Sequence, residues 1–218
     1  MRLVALLKWL FGYPGYIWPI NLFFVGVACA TWSYTQPAMA LCVDFEVGWI
    51  TQIYLRNLAL IWLYYGGFHL YLYTLKREGT HHKYNRKWPA KKSRVFLFGN
   101  QVWDNIFWTA GVGTIIWTAY EVTTMWLYAN HHIPWLDWAL HPGFFILGFF
   151  LIPLWREFHF YWVHRLIHWK PLYRHVHYLH HKNTNPNPWS GMAMHPVETI
   201  LYLSVVLIHW VVPSHPLH

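Results

Sequence analysis

Long stretches of this chain contain no charged residue, and this constrains its fold more than any other feature. No Lys, Arg, Asp or Glu occurs from Trp9 to Val43, and Arg56 is the only charged residue between Val47 and Leu75. Similar apolar windows follow at about 95–128, 139–155 and 197–213. A bilayer core requires about 20 apolar residues per helix, and lipid tolerates only spanning elements whose backbone is hydrogen-bonded internally. The sequence therefore predicts an all-α integral membrane helical bundle of four to five transmembrane helices.

The composition agrees with a membrane protein. Hydrophobic residues make up 56% of the 218 positions and charged residues 11%, against about 25% in soluble domains. No Ser/Gly-rich linker separates the apolar stretches, so we expect a single membrane domain over residues 1–218. Transmembrane helices and a basic loop would occupy 1–142, and a histidine-motif region 143–218.

The basic residues predict which side of the membrane each loop faces. Eight of the sixteen Lys and Arg residues lie between Lys76 and Arg94, whereas the two predicted outer loops carry Asp44, Glu46 and Asp137 and no Lys or Arg. By the positive-inside rule the basic loop is cytoplasmic, and the topology then places the segment 164–182 on the same side. A nucleic-acid-binding or merely solubilising tract is the alternative. The position of the loop between two spans favours orientation, so we expect no nucleic acid partner.

Histidines at helical spacing form the chemically informative pattern. The chain has 17 histidines, more than a membrane core would accept for packing, because each imidazole needs partners for two nitrogens. His164 and His168 are four residues apart at the end of an apolar helix, so both rings share one face. His177, His180 and His181 follow in an HxxHH pattern, which again places them near one face. We expect these five residues to be metal ligands, in a site on the cytoplasmic side.

The residues between and after the two motifs predict how they fold together. Pro171 is suited to the first turn of a new helix, and the run Asn183–Pro188 consists of turn residues that would end it. Two short histidine-bearing helix ends would then face each other. Five imidazoles exceed the four ligands of a structural zinc site, which indicates two metal ions, or one ion with supporting residues. Imidazole suits Fe, Zn, Cu and Ni alike, so the pattern leaves the metal open.

Four further residues are candidates for supporting the ligands. Pro196 would open the final helix with Glu198 in its first turn, where a carboxylate could orient a ligand histidine. A plain helix-start signal is an equal alternative for Glu198. His159 points off the face of His164 and is either a supporting residue or a hydrogen-bonded core residue. His175 and His195 are the remaining candidates.

The motifs together resemble those of one enzyme family. The chain reads Tyr-Trp-Val-His-Arg-Leu-Ile-His over 161–168, His-Tyr-Leu-His-His over 177–181 and His-Pro-Val-Glu over 195–198. This is similar to the YWxHRxxH, HxxHH and HPxE signatures of the fatty acid hydroxylase/sterol desaturase superfamily, over about residues 155–200.

The resemblance implies a membrane-bound oxidoreductase with two non-haem iron ions, for which zinc would be a substitute. Such an enzyme uses O2 to hydroxylate or desaturate a sterol or a fatty acyl chain taken from the bilayer. By this resemblance His164, His168, His177, His180 and His181 would be the iron ligands and would carry the catalytic chemistry. Electrons would come from a carrier such as a cytochrome b5 or a ferredoxin, and the net charge of +8 would favour an acidic one.

The sequence departs from the family pattern at one point. The family places a further histidine cluster, including a second HxxHH, after another membrane segment, and no such cluster occurs before His218. We therefore expect a chain that lacks its C-terminal part. The alternatives are a membrane metal-binding or metal-transport protein, and an inactive fragment of the oxygenase.

Overall fold

The computed structural model describes residues 3–218, and within that range all regular structure is helical, as predicted. The helices are α1 (Leu3–Phe11), α2 (Ile17–Tyr34), α3 (47–74), α4 (101–129), α5 (Pro142–Ile167), α6 (170–181) and α7 (Pro196–Trp210). Short 3₁₀ turns lie at Met39–Val43, Leu97–Gly99 and Pro188–Met192. Helices α2, α3, α4 and α6 contain π-helical turns, of which the one at Tyr173–His177 carries part of the HxxHH motif.

Two of the described helices, α2 and α5, are long and apolar enough to cross a membrane. The predicted number of four to five spans is not confirmed by these two helices and stays a prediction. Helix α5 buries just Phe145 and Ile167, and large apolar side chains such as Phe144 and Leu151 are more than half exposed along it. A helix with an uncovered apolar surface of this extent is suited to lipid rather than to water.

Helices α3 and α4 pack against each other and form the main core. Trp49 and Ile53 of α3 meet Val122, Met125 and Tyr128 of α4 in one buried apolar cluster. These two long helices fix the frame on which the later segments dock.

A polar layer crosses the same helix pair. Arg56 forms an ion pair with Glu121, and its Nη1 donates to Gln36 Oε1 at 3.0 Å. Asn57 Nδ2 donates to the second carboxylate oxygen of Glu121 at 3.0 Å. A buried charge is tolerated only when it is paired and hydrogen-bonded, which explains how an otherwise apolar window accommodates Arg56.

The segments that were predicted to share a side of the membrane lie together. At one end, Asn130 Nδ2 donates to the Val43 carbonyl at 3.0 Å, and the Leu136 amide donates to the Ser214 carbonyl at 3.0 Å. At the other end, the Asn185 side chain donates to the carbonyl of Lys87 in the basic loop at 3.0 Å. The loops thus form two separate clusters. That the cluster with the basic loop and Asn185 faces the cytoplasm stays a prediction.

Candidate metal centre

Four of the five predicted ligands come together at the junction of α5 and α6. One ring nitrogen from each of His164, His168, His177 and His181 lies within 4.8 Å of the other three. The Nε2 atoms of His164 and His168 are 3.1 Å apart, and those of His177 and His181 are 2.9 Å apart. Nitrogens that bind one ion at about 2.1 Å lie roughly 3 Å from each other, so this donor set fits a metal ion.

The local sequence explains why the four rings meet. His164 lies in the last turn of α5, and His168 caps that helix. Trp169 is extended and turns the chain, after which Pro171 lies in the first turn of α6 as predicted. Because α6 folds back against the end of α5, the pair His177 and His181 faces the pair on α5.

The electrostatic environment favours the neutral form of His177 and His181. Burial, with an added contribution from the neighbouring imidazoles, lowers the pKa of His177 to about 3. Burial also lowers the pKa of His180 and His181, with a smaller contribution from adjacent histidines. A neutral imidazole is the form that binds metal, so these rings need not release a proton at neutral pH to do so.

Glu198 contacts the most deeply buried histidine of the group. Its Oε1 lies 2.8 Å from Nδ1 of His177, and both side chains are almost inaccessible to solvent. Glu198 lies in the first turn of α7, which begins at Pro196 as predicted. An Nδ1–H donated to a carboxylate leaves Nε2 free for a metal, which is the role expected of an orienting carboxylate. The other oxygen, Oε2, is buried and has no partner among the described residues.

His180 does not join the four-histidine group. Its ring stacks nearly parallel to that of His177 at a centroid distance of 5.7 Å, and its buried Nδ1 has no side-chain partner. It lines a cavity of about 230 Å³ beside the group, together with Phe160, His164, Ile167, Met194 and Tyr202. Its role as a ligand stays a prediction.

The other candidate supporting histidines lie outside the group. His159 Nε2 is 3.0 Å from Ser204 Oγ, which matches the hydrogen-bonded alternative. His195 caps α7, where its Nδ1 accepts from the Val197 amide at 3.2 Å. His175 is exposed on α6.

Sequence reasoning missed several residues that hold the site. Tyr173 packs beside the cluster, with its ring centroid 5.7 Å from His168 and 5.5 Å from His181. Lys182, directly after the HxxHH motif, places its Nζ 2.9 Å from the carboxylate of Asp104 on α4, and both groups are buried. The only sequence signal for this pair is the presence of Asp104 in an apolar window.

Two further hydrogen bonds tie α4 to the segment after the motif. Gln101 Nε2 donates to the Asn185 carbonyl at 2.8 Å, and Thr109 Oγ1 donates to the Trp189 carbonyl at 2.7 Å. Side chains of α4 therefore hold the segment that follows the HxxHH motif in place.

The comparison with protein families agrees with this geometry. The fatty acid hydroxylase family model matches residues 149–218, which include the whole histidine cluster and Glu198. The predicted resemblance to the fatty acid hydroxylase/sterol desaturase superfamily is thus confirmed for this segment.

Curated relatives point to the same superfamily. The chain is 50% identical to a Delta(7)-sterol 5(6)-desaturase of Gibberella zeae over 38 residues, which is 17% of this chain and 12% of the relative. It is 40% identical to a putative methylsterol monooxygenase of Dictyostelium discoideum over 46 residues, 21% of this chain and 17% of the relative. It is also 40% identical to a very-long-chain aldehyde decarbonylase of Oryza sativa over 63 residues, which is 29% of this chain and 22% of the relative.

These alignments span less than a quarter of the length of each relative. No solved structure matches the chain significantly.

Proposed function

We propose that this chain is the metal-binding part of a membrane oxidoreductase that hydroxylates or desaturates a lipid with O2. The observation that carries the proposal is the group of four imidazole nitrogens within 4.8 Å of one another. When bound there, non-haem iron would supply the oxidising power that an unactivated C–H bond requires. His164, His168, His177 and His181 would hold it.

The four nitrogens provide donors for one ion. A second iron, which the family resemblance implies, would need His180 and further donors in addition to this group. The scarcity of carboxylates near the cluster favours imidazole over carboxylate ligation for both ions. Glu198 would act on His177 by holding the Nδ1 proton rather than by binding metal itself.

The cavity beside the group would receive the reacting part of the substrate. Most of its lining residues are apolar, among them Phe160, Val163, Ile167 and Met194. The polar ones are His164, His180, Glu198 and Tyr202. A volume of about 230 Å³ suits a segment of hydrocarbon rather than a whole lipid. We propose that a sterol or fatty acyl chain enters from the bilayer and is held there without water.

Basic residues surround the site on the surface. Arg165, Lys170 and Arg174 are exposed next to the cluster, and positive charge favours association with an acidic partner. We propose an acidic electron carrier of the cytochrome b5 or ferredoxin type as the donor, on the cytoplasmic side. A reduction rate that does not change when salt is raised would contradict this part of the proposal.

Metal analysis of the purified full chain tests the central claim. We expect iron to be retained after anaerobic loading with Fe(II) and removal of excess metal, and to be lost in His164→Ala and His181→Ala. His175→Ala is the matched control, because it removes an exposed imidazole from the same helix without touching the group. A wild-type chain that retains no iron, or equal loss in the control, would contradict the site.

A second measurement tests the reaction. Lipids of cells that express the full chain should contain a hydroxylated or newly unsaturated species that is absent with His181→Ala. If the chain retains metal but no new lipid species appears, the protein is a metal-binding protein and the proposed oxygenase activity is wrong.

A further inference from the structure

A second, larger cavity lies between α3 and α4. Its volume is about 790 Å³, within the range of roughly 300–1,000 Å³ that is usual for small-molecule sites. None of the five predicted metal ligands lines it. The cavity is therefore separate from the proposed metal centre.

One part of the cavity wall is apolar and open to the surroundings. Leu63 and Leu70 of α3 and Trp103 of α4 line it, and each is at least half exposed. Trp62 adds a further aromatic surface that is 45% exposed. In a protein that lies in a bilayer, exposed side chains of this kind face lipid chains rather than water.

The other end of the cavity is basic. Lys76 and Lys91 line it next to Trp88, and Lys76 Nζ lies 4.7 Å from the centre of the Trp88 ring. No Asp or Glu is among its lining residues. The nearby Glu78 is engaged by Tyr71 instead, whose hydroxyl donates to it at 3.0 Å. The charge at this end is complementary to an anion.

We propose that this cavity binds a lipid with an anionic head, with the head between Lys76 and Lys91 and the acyl chain along Leu63, Leu70 and Trp103. An acyl chain would cover the exposed apolar wall, and an anionic head would neutralise two lysines that have no Asp or Glu beside them in the lining. The proposal does not depend on the oxygenase function, since the cavity and the metal group share no residue.

Photolabelling of the full chain in vesicles tests the site. The probes are phosphatidylglycerol and phosphatidylcholine that carry the same photoreactive acyl chain, and labelled peptides are mapped by mass spectrometry. We expect phosphatidylglycerol to label peptides from 62–76 and 100–106 in preference to phosphatidylcholine. Since each lysine near a membrane surface contributes about 1 kcal/mol towards an anionic lipid, the double variant Lys76→Gln, Lys91→Gln should reduce that preference roughly tenfold or more. The matched control is Arg86→Gln, Lys87→Gln, which removes two exposed charges of the same loop outside the cavity.

A blocking variant tests the cavity itself. Gly67 lines it, and a Cβ placed at Gly67 meets nothing within 4 Å, so the backbone leaves room for the side chain of Gly67→Leu to begin there. We expect it to reduce labelling by both lipids. Gly26→Leu is its control, because Gly26 is a helical glycine with equal room that lies outside the cavity.

Three results would overturn the proposal. These are equal labelling by the two lipids in the wild type, equal loss of preference in both charge variants, and full competition by soluble glycerol phosphate, which would indicate a site for the free headgroup.

Discussion

Nδ1 of His177 lies 2.8 Å from Oε1 of Glu198, and the two side chains come from helices that are separated by the turn-rich segment 183–195. His177 is fully buried and Glu198 nearly so. The contact holds Nδ1 against the carboxyl group, and a His177 ring that donates its Nδ1–H there keeps Nε2 free for a metal. It also fixes the orientation of the ring towards the other three histidines.

Glu198→Gln should therefore weaken metal binding without abolishing it. Loss of a partner that orients a ligand typically costs about 10–100-fold in affinity, and we expect Glu198→Gln to fall at the lower end because its amide oxygen can still accept. The dissociation constant for Fe(II), measured by competition with a chelator, checks this. Glu157→Gln is the control, since Glu157 is exposed and pairs with Arg156. An unchanged affinity in Glu198→Gln would assign the carboxylate to helix capping alone.

The buried pair of Asp104 and Lys182 should stabilise the docking of the histidine segment. Removing one partner leaves an unpaired buried charge, for which about 3–5 kcal/mol of destabilisation is typical. We expect Asp104→Leu and Lys182→Met each to lower the thermal unfolding midpoint in detergent, and the double variant to recover most of the loss. Lys170→Met, which removes an exposed lysine, should have little effect. A double variant less stable than both single variants would refute the pairing.

Local features of the site followed from the sequence because they depend on neighbouring residues. Helical spacing places His164 next to His168, and the positions of Pro171 and Pro196 set where the next helices begin. The contact between Asp104 and Lys182, by contrast, joins residues about 80 positions apart in sequence. Periodicity carries no information about such contacts, so the support that α4 gives to the site could not be predicted.

The same distinction applies within the HxxHH motif. His180 and His181 are consecutive, so their side chains leave the helix roughly 100° apart, and both cannot point at one atom. Spacing alone allowed either of them to pair with His177. Because α6 docks against α5, the residue that lies with His177 in the four-histidine group is His181.

His180→Ala should therefore retain the ion that His181→Ala loses. His181 contributes a nitrogen to the four-histidine group, whereas the ring of His180 stacks beside His177 and borders the smaller cavity. Equilibrium metal content of the two purified variants, compared with wild type, checks this. Comparable loss of iron in both would favour the five-ligand set predicted from the sequence.

His215 lies in an aromatic pocket at the opposite end of the molecule. Its ring centroid is 4.7 Å from those of Trp32 and Trp135, and 5.2 Å from that of Phe145. Burial is the main reason that the pKa of His215 falls to about 4, and the charge of nearby His218 adds to the effect.

This shift should make folding stability depend on pH. The unfolded chain takes up a proton on His215 near the ordinary pKa of 6.5, whereas the folded chain does so only near 4. Stability should therefore fall as pH drops between these values, by at most about 1.4 kcal/mol per pH unit from this residue. We expect His215→Phe to flatten the pH dependence of the thermal unfolding midpoint between about pH 6.5 and 4, and His141→Phe, which removes an exposed imidazole, to leave it unchanged. An identical pH profile for His215→Phe and wild type would show that the pocket does not hold His215 neutral.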